Sequence, residues 1–465
     1  MKKFDIITIG SGGGAKISSP AASMGLKVAV IEKDRLGGTC LNRGCIPSKM
    51  LIHPADVAVE IKEAHRFDIH NNPQFSVDFA KLVNRISQTV DSDSDKIQSS
   101  YKKHPNISLY QGCAKFVDNN IIEINNEQIT ADKIFIAVGT RPTIPDIPGL
   151  AGTPYMTSTE ALRNTTLPPS MIIIGGGYIG CELGHAYGAL GTKTTFLVRS
   201  KLLRAQDAEI AAEFQKVFSR YHDLRLGAIP TKVEYSHNTF TVHYTQDGKN
   251  LSVSAETLLI ATGITSNADT LDLINTDIEL QPGNFIKVNE YLETSVGGVF
   301  ALGDCIGKYF FRHSVNFEGE YLFDYVFGGK TRSPIHYPPM PHAVFTHPQV
   351  AGVGATEEEL KTKGIDYAVG LNPYKSSAMG MALLSDHGFC KILVDRKSRK
   401  ILGGHIIGPE ASDMVHMIIA YMNMNATLDD MLRTIYIHPA LPEIVRNAAR
   451  KAKTALEKND QIRQP

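Results

Sequence analysis

Short apolar runs broken by glycine turns organise the N-terminal half of the chain. Ile6–Ile9 reads as a buried strand that stops at Gly10-Ser11-Gly12-Gly13-Gly14-Ala15. Residues 16–24 have helical spacing, weakened by Pro20, and a second apolar run, 27–31, ends at Glu32. Strand, glycine turn, helix, strand, acid is the pattern of a dinucleotide site. The first glycine makes the tight turn, and the second lets backbone approach a pyrophosphate at the helix N-terminus. The small third residue, Ala15, packs helix on strand. Gly10, Gly12, Gly13 and Ala15 are therefore candidate contacts. Glu32, 22 residues after Gly10, is placed to accept hydrogen bonds from ribose hydroxyls.

The pattern returns 165 residues later. A strand over 171–174 meets Gly175-Gly176-Gly177-Tyr178-Ile179-Gly180, then a helix over 181–190 and a strand over 193–198. Gly175, Gly177 and Gly180 fill the three glycine positions. Here the acid is missing. Val198 stands in its place, followed by Arg199, Lys201 and Arg204. A carboxylate would repel a 2′-phosphate, whereas arginine offers it a fork of donors, so this site favours NADPH over NADH. Runs ending at Gly139, at Gly263 and at Gly303-Asp304 read as closing strands. Two dinucleotide sites in one chain point to hydride relay from a nicotinamide to a flavin.

Length and charge narrow the picture. A chain of 465 residues exceeds one hydrophobic core and predicts two to four domains. Lys plus Arg equals Asp plus Glu, 48 each, which gives no electrostatic case for nucleic acid or an anionic membrane. No apolar run approaches the roughly 18 residues of a membrane span. The N-terminus carries no signal-peptide pattern, so the cytoplasm is the expected location.

Six cysteines are too few for a disulfide scaffold. Cys113, Cys181, Cys305 and Cys390 stand alone, and each is expected to be a small buried hydrophobe. Cys40 and Cys45 are different. They lie in Gly37-Gly38-Thr39-Cys40-Leu41-Asn42-Arg43-Gly44-Cys45-Ile46-Pro47-Ser48-Lys49, directly after the first nucleotide signature. On a regular helix their α-carbons would stand about 8–9 Å apart, beyond the roughly 7 Å limit for a disulfide. Gly44 permits the local distortion that a bridge needs. A helix is predicted to start near Pro47, placing Cys45 at its positive end, with Lys49 adding charge. A zinc site needs two further ligands, and no second cysteine pair exists, so no metal is expected.

Gly37–Lys49 and the C-terminal run His438-Pro439-Ala440-Leu441-Pro442-Glu443 resemble the flavin-dependent pyridine nucleotide–disulfide oxidoreductases. Glutathione reductase, dihydrolipoamide dehydrogenase, mercuric reductase and mycothione reductase belong to that family, and the resemblance covers essentially the whole chain. It implies an α/β fold with two Rossmann-like dinucleotide-binding domains, for FAD and NADP, plus an α+β C-terminal dimerisation domain. The implied divisions are 1–150 for FAD, 151–266 for NAD(P), 267–336 completing the FAD site and 337–465 for the interface of a homodimer. Cys45 would be the thiolate next to the flavin, in charge-transfer contact with it. Cys40 would be the interchange thiol that attacks substrate. Lys49 would sit by the flavin and pair with Glu182, Tyr178 would gate the nicotinamide pocket, and Asp304 would contact the ribityl chain. Lys33, Gly38, Thr39, Ala114 and Gly139 join the implied FAD contacts, and Gly263 joins the NADPH contacts. His438, supported by Glu443, would serve the disulfide of the other subunit.

Elementary chemistry agrees. Reduction of a disulfide expels a thiolate, which an acid of near-neutral pKa helps to leave. Histidine fits, and a carboxylate on its other nitrogen fixes the tautomer. The prolines predict a rigid loop from His438 to Glu443 rather than a helix. His347-Pro348 has no such glutamate and is assigned no catalytic role.

Departures from the pattern prune the family. No cysteine follows Cys390, which argues against mercuric reductases and the large thioredoxin reductases, with their extra C-terminal pair. Ser19 and Pro20 stand where glutathione reductases carry arginine. Val198 stands where dihydrolipoamide dehydrogenases usually carry an acid. The chain is most similar to the mycothione reductase branch, on Val198–Arg204 and His313-Ser314-Val315-Asn316, with weaker support from 341–346. The expected reaction passes hydride from NADPH through FAD and Cys40–Cys45 to a small disulfide. The alternative is an NAD-linked dihydrolipoamide dehydrogenase of a multienzyme complex. A remote alternative is a flavin-binding structural partner.

Overall fold

A computed structural model describes residues 1–70, 75–329 and 333–462. The first apolar runs become neighbouring parallel strands, Lys2–Ile9 and Val28–Glu32. Parallel strands Ile107–Gln111 and Glu127–Ile136 flank them, and Val299–Ala301 pairs with the latter. Burial on both faces explains why Ile6, Ile7, Val28 and Val30 form near-continuous apolar runs rather than alternating ones. The chain leaves this sheet at one edge and returns through Lys115–Asp118 at the other.

The second unit repeats the theme with parallel strands in the spatial order Asp223–Leu226, Lys193–Val198, Ser170–Ile174, Thr257–Ile260. An antiparallel pair, Thr140–Pro142 with Ile264–Ser266, links the two units. The C-terminal unit is an antiparallel five-stranded sheet covered by helices Ala411–Asn423 and Pro442–Ile462. The fold is thus α/β, two Rossmann-like units followed by an α+β unit.

Lys391 joins the second and third units. Its side chain is fully buried, and its Nζ lies 3.0 Å from Asp207 Oδ1 and 2.5 Å from Glu357 Oε2. A buried ammonium is tolerated because these carboxylates neutralise it. No helix among the described residues is long and apolar enough to cross a membrane.

The expected first helix forms as Ala15–Ser23 and runs through Pro20, because Ile17, Ala21 and Ala22 are buried and hold it in place. Two other local expectations are corrected. The helix expected near Pro47 begins at Cys45, and Pro47 is its third residue. Cys113 is exposed rather than buried, since it lies in the segment that crosses between the sheet edges. Cys181, Cys305 and Cys390 are buried as expected.

Candidate redox active site

Gly10 has φ of 99°, and a side chain there would stand 2.3 Å from the Ala137 carbonyl oxygen, so the turn needs glycine. Gly12, Gly13 and Gly14 lead into the helix at Ala15, whose first turn has no side-chain cap. Its amides remain available for a pyrophosphate, which fits a dinucleotide at this turn. Glu32 closes the site. Its Oε2 accepts hydrogen bonds from the Ser11 amide at 2.9 Å and from Ser11 Oγ at 2.7 Å. Ser11 Oγ in turn accepts from the Gly37 amide at 2.9 Å, which ties the nucleotide turn to the cysteine segment. Asp304 is placed beside Gly139 and Thr140, and Thr140 Oγ1 donates to it at 2.9 Å. Burial pushes its carboxyl above the ordinary range. Ala114 is buried, whereas Lys33 and Thr39 are exposed.

The cysteines occupy two helices, Gly38–Arg43 and Cys45–Glu63, broken at Gly44. The break has φ −140° and ψ −119°, and a side chain on Gly44 would meet the Thr39 carbonyl oxygen at 2.8 Å. This kink brings the two thiols into hydrogen-bonding contact. Buried Asn42 pins the first helix by donating to the carbonyls of Leu36 at 2.9 Å and Gly38 at 3.1 Å. The pair is electrostatically split. The hydrogen bond from Cys40 brings the Cys45 thiol down to about 7, against burial and with help from Lys49. The same bond, together with burial, pushes Cys40 well up. Cys45 is the more acidic thiol of the two.

Lys49 Nζ donates to Glu182 Oε2 at 2.7 Å, and its ammonium lies 4.4 Å from the centre of the Phe345 ring. The Phe345 amide donates to the other oxygen of Glu182 at 3.1 Å. The ion pair thus joins the cysteine helix to the helix Tyr178–Leu190 of the second nucleotide turn. Tyr178 opens that helix, again without a side-chain cap, and Gly177 precedes it with no atom near its α-carbon substituent position. Gln206 Nε2 donates to the Tyr178 hydroxyl at 2.5 Å, and Gln206 Oε1 pairs with His342 Nε2 at 2.7 Å. Burial raises the Tyr178 phenol pKa. Gly175, Gly180 and Gly263 line the same turn region. Arg199, Lys201 and Arg204 are exposed beyond the end of the strand Lys193–Val198, and none has an ion pair among the described residues.

His438 lies apart from the cysteines. Its Nδ1 is 3.0 Å from Glu443 Oε2, and Arg446 Nη2 donates to Glu443 Oε1 at 2.6 Å. Burial raises the Glu443 carboxyl, but the Ala440 amide, His438 and Arg446 outweigh it and hold the group below its usual range. The expected loop is corrected here. Pro442 starts the terminal helix, where its missing amide costs nothing, so Glu443 sits in a helical first turn. No hydrogen bond of His438 or Glu443 reaches the Cys40 segment among the described residues. The His438 side chain is 70% exposed, and the adjacent Ile435 and Ile437 are 96% and 80% exposed.

The sequence model for pyridine nucleotide-disulphide oxidoreductases matches residues 4–319, and that for their dimerisation domain matches 340–449. The chain belongs to the pyridine nucleotide-disulphide oxidoreductases. Mycothione reductase of Mycobacterium tuberculosis is 35% identical to this oxidoreductase, covering 96% of this chain and 99% of the relative. Dihydrolipoyl dehydrogenase of Bacillus subtilis is 32% identical, covering 96% and 97%. The structure of the HOCl-induced flavoprotein disulfide reductase RclA from Escherichia coli, in a Cu(II) complex, superposes with a TM-score of 0.86. That match has 26% identity and covers 98% of this chain and 100% of the other. This oxidoreductase is accordingly an FAD-dependent flavoprotein that uses NAD(P)H and acts on sulfur groups. Its dimerisation domain supports a homodimer.

Gln206 and Arg446 went unmarked in the sequence, and His342 and Phe345 stood out only as part of the 341–346 segment, with no role attached. The Phe345–Glu182 and His342–Gln206 contacts span 163 and 136 positions, which no local spacing signals, whereas Arg446 meets Glu443 three residues away on one helix.

Proposed function

We propose that this protein is an NADPH-linked reductase of a small disulfide, of the mycothione reductase type, with Cys40 and Cys45 as its redox pair. The observation that carries the reading is the polarised thiol pair at Gly44, beside Lys49 and the first nucleotide turn. Bound FAD supplies the relay between hydride chemistry and thiol–disulfide exchange. Gly10, Gly12, Gly13, Ala15, Glu32 and Asp304 would hold it, with Lys33, Gly38, Thr39, Ala114 and Gly139 around them. Gly175, Gly177, Gly180 and Gly263 would hold NADPH, and Tyr178 would cover the nicotinamide pocket.

The thiol steps follow from the pair's geometry. Cys40 gives up its proton to His438 of a second copy as its sulfur attacks one substrate sulfur, forming a mixed disulfide and expelling the first thiolate, which takes that proton back from His438. Glu443 holds that imidazole. Cys45 then attacks the Cys40 sulfur, releasing the second thiol and closing the Cys40–Cys45 disulfide. Two electrons leave the dithiol and two thiols are made. Exposure of His438, Ile435 and Ile437 supports a site completed across the dimer. A dithiol cycle of this kind suits a reducing compartment such as the cytoplasm.

Unpaired Arg199 and Arg204 support NADPH. Their double replacement by alanine is expected to raise KM for NADPH by roughly 10-fold or more and leave NADH nearly unchanged. Steady-state kinetics with both nucleotides checks this, and equal changes would refute it. The second reading, dihydrolipoamide oxidation with NAD, is favoured by the 32% identity to the Bacillus subtilis enzyme. A panel of mycothiol disulfide, lipoamide and glutathione disulfide separates the two. Highest kcat/KM with lipoamide and NADH as partners would overturn the proposal.

A further inference from the structure

Tyr178 stands where the three units of the fold converge. It opens the helix Tyr178–Leu190, and Glu182, four residues on, shares its face and holds Lys49 of the cysteine helix. The Tyr178 ring packs 6.3 Å from the Phe311 ring, which precedes the helix Arg312–Phe327, and 6.4 Å from the His342 ring of the C-terminal unit. The Tyr178 hydroxyl accepts from Gln206 Nε2, and Gln206 Oε1 meets His342 Nε2 at 2.7 Å. An amide oxygen only accepts, so His342 carries its proton on Nε2. Burial keeps that imidazole neutral by bringing its pKa down to about 4, and the neighbouring His405 and His313 add to the effect.

Gln206 and His342 are fixed by their surroundings. Gln206 is buried, and the next residue, Asp207, is fully buried. Asp207 Oδ1 lies 3.0 Å from Lys391 Nζ, and its other oxygen accepts from the Glu357 amide at 3.1 Å. His342 lies on the strand His342–Val344, directly opposite Gly352. A side chain on Gly352 would stand 2.8 Å from His342 Nε2, so the imidazole fills space that only glycine leaves. The amide that meets the phenol therefore belongs to the scaffold. A ring across the nicotinamide pocket must move when the nicotinamide enters, and that movement breaks its hydrogen bond to Gln206. We propose that Gln206, held by His342, is a positioning residue that latches Tyr178 shut. The latch sets the population of the open pocket and hence the affinity for the nicotinamide end of the nucleotide. This rests on the reading of Tyr178 as the cover of that pocket.

Calorimetric titration of the oxidised holoenzyme tests it with two ligands, NADP⁺ and 2′-phospho-ADP-ribose, which lacks the nicotinamide. Gln206→Leu is close in size and cannot donate. It should tighten NADP⁺ binding by about 5-fold and leave 2′-phospho-ADP-ribose within about 2-fold of wild type. The unpaired His342 that it leaves is common to the open and closed pocket and cancels. Tyr178→Phe removes the same hydrogen bond from the other side and should tighten NADP⁺ alike, and the double variant should tighten it no further. Gln206→Glu, whose carboxylate accepts from both the phenol and the imidazole, should show no tightening. FAD content reports the integrity of each variant. Unchanged or weaker NADP⁺ binding in Gln206→Leu, equal shifts for the two ligands, or additive effects in the double variant would overturn the latch. Tyr178→Ala tests the underlying reading. An unchanged ratio of the two affinities there would overturn Tyr178 as the cover, and the latch with it, whereas a changed ratio beside an inert Gln206→Leu would overturn the latch alone.

Discussion

Replacing Cys45 with serine is expected to stop disulfide turnover, with a loss on the order of 10⁴-fold or more, as for other covalent nucleophiles. FAD content should stay at the wild-type level, because the nucleotide turn at Gly10 and its anchor Glu32 do not depend on the thiol. The reason lies in the second exchange step. Without the Cys45 thiolate nothing displaces substrate from Cys40, and the mixed disulfide persists. Mass spectrometry of the substrate-treated variant should therefore find one substrate half bound at Cys40. Full turnover in Cys45→Ser would remove the pair from the reaction. The pH behaviour follows with its sign. Cys45 is an acid whose pKa is lowered to about 7 by the hydrogen bond from Cys40, so its thiolate appears as pH rises through 7. Alkylation of Cys45 in the reduced protein should accelerate across that window. Cys40→Ala removes the leading cause and should move the midpoint upward.

Replacing His438 with glutamine is expected to slow reoxidation of the reduced protein by disulfide by about 10²- to 10⁴-fold. Reduction of the flavin by NADPH should change less than about 2-fold, because no hydrogen bond among the described residues ties His438 to either nucleotide turn. The expelled thiolate then departs without a positioned proton donor. Stopped-flow spectrophotometry reads the two half-reactions separately. Equal slowing of both would contradict an acid–base role. Mixing His438→Gln with Cys40→Ser protomers tests the shared site, since heterodimers would recover one intact site. Recovery of about one quarter of wild-type activity is expected when equal amounts exchange subunits at random.

Much of this arrangement was legible in the chain because it is local. Glycine turns need backbone geometry that few other residues adopt, so Gly10 and Gly175 announce their strands and helices. Gly44 announced the kink between Cys40 and Cys45 for the same reason. The Lys49–Glu182 ion pair spans 133 positions and was legible only through family resemblance. Periodicity carries no information on such partners. Helix starts were less legible. Cys45 and Pro442 both begin helices, one earlier than Pro47 suggested and one where a loop was expected, because an N-terminal proline marks a start only to within a turn. Cys113 was misplaced because a lone cysteine reads as core unless the sheet topology around it is known. Gln206 gave no signal at all. It looked like one more polar residue until the fold put it between Tyr178 and His342.

The central claim is that Cys40 and Cys45 cycle between disulfide and dithiol under NADPH. Differential alkylation tests it most directly. The oxidised holoenzyme and its anaerobically NADPH-treated counterpart are denatured, alkylated and mapped by peptide mass. Two cysteines, Cys40 and Cys45, should become newly alkylated after NADPH, while Cys113, Cys181, Cys305 and Cys390 are alkylated equally in both samples. An unchanged pattern at Cys40 and Cys45, with the flavin reduced, would contradict the account.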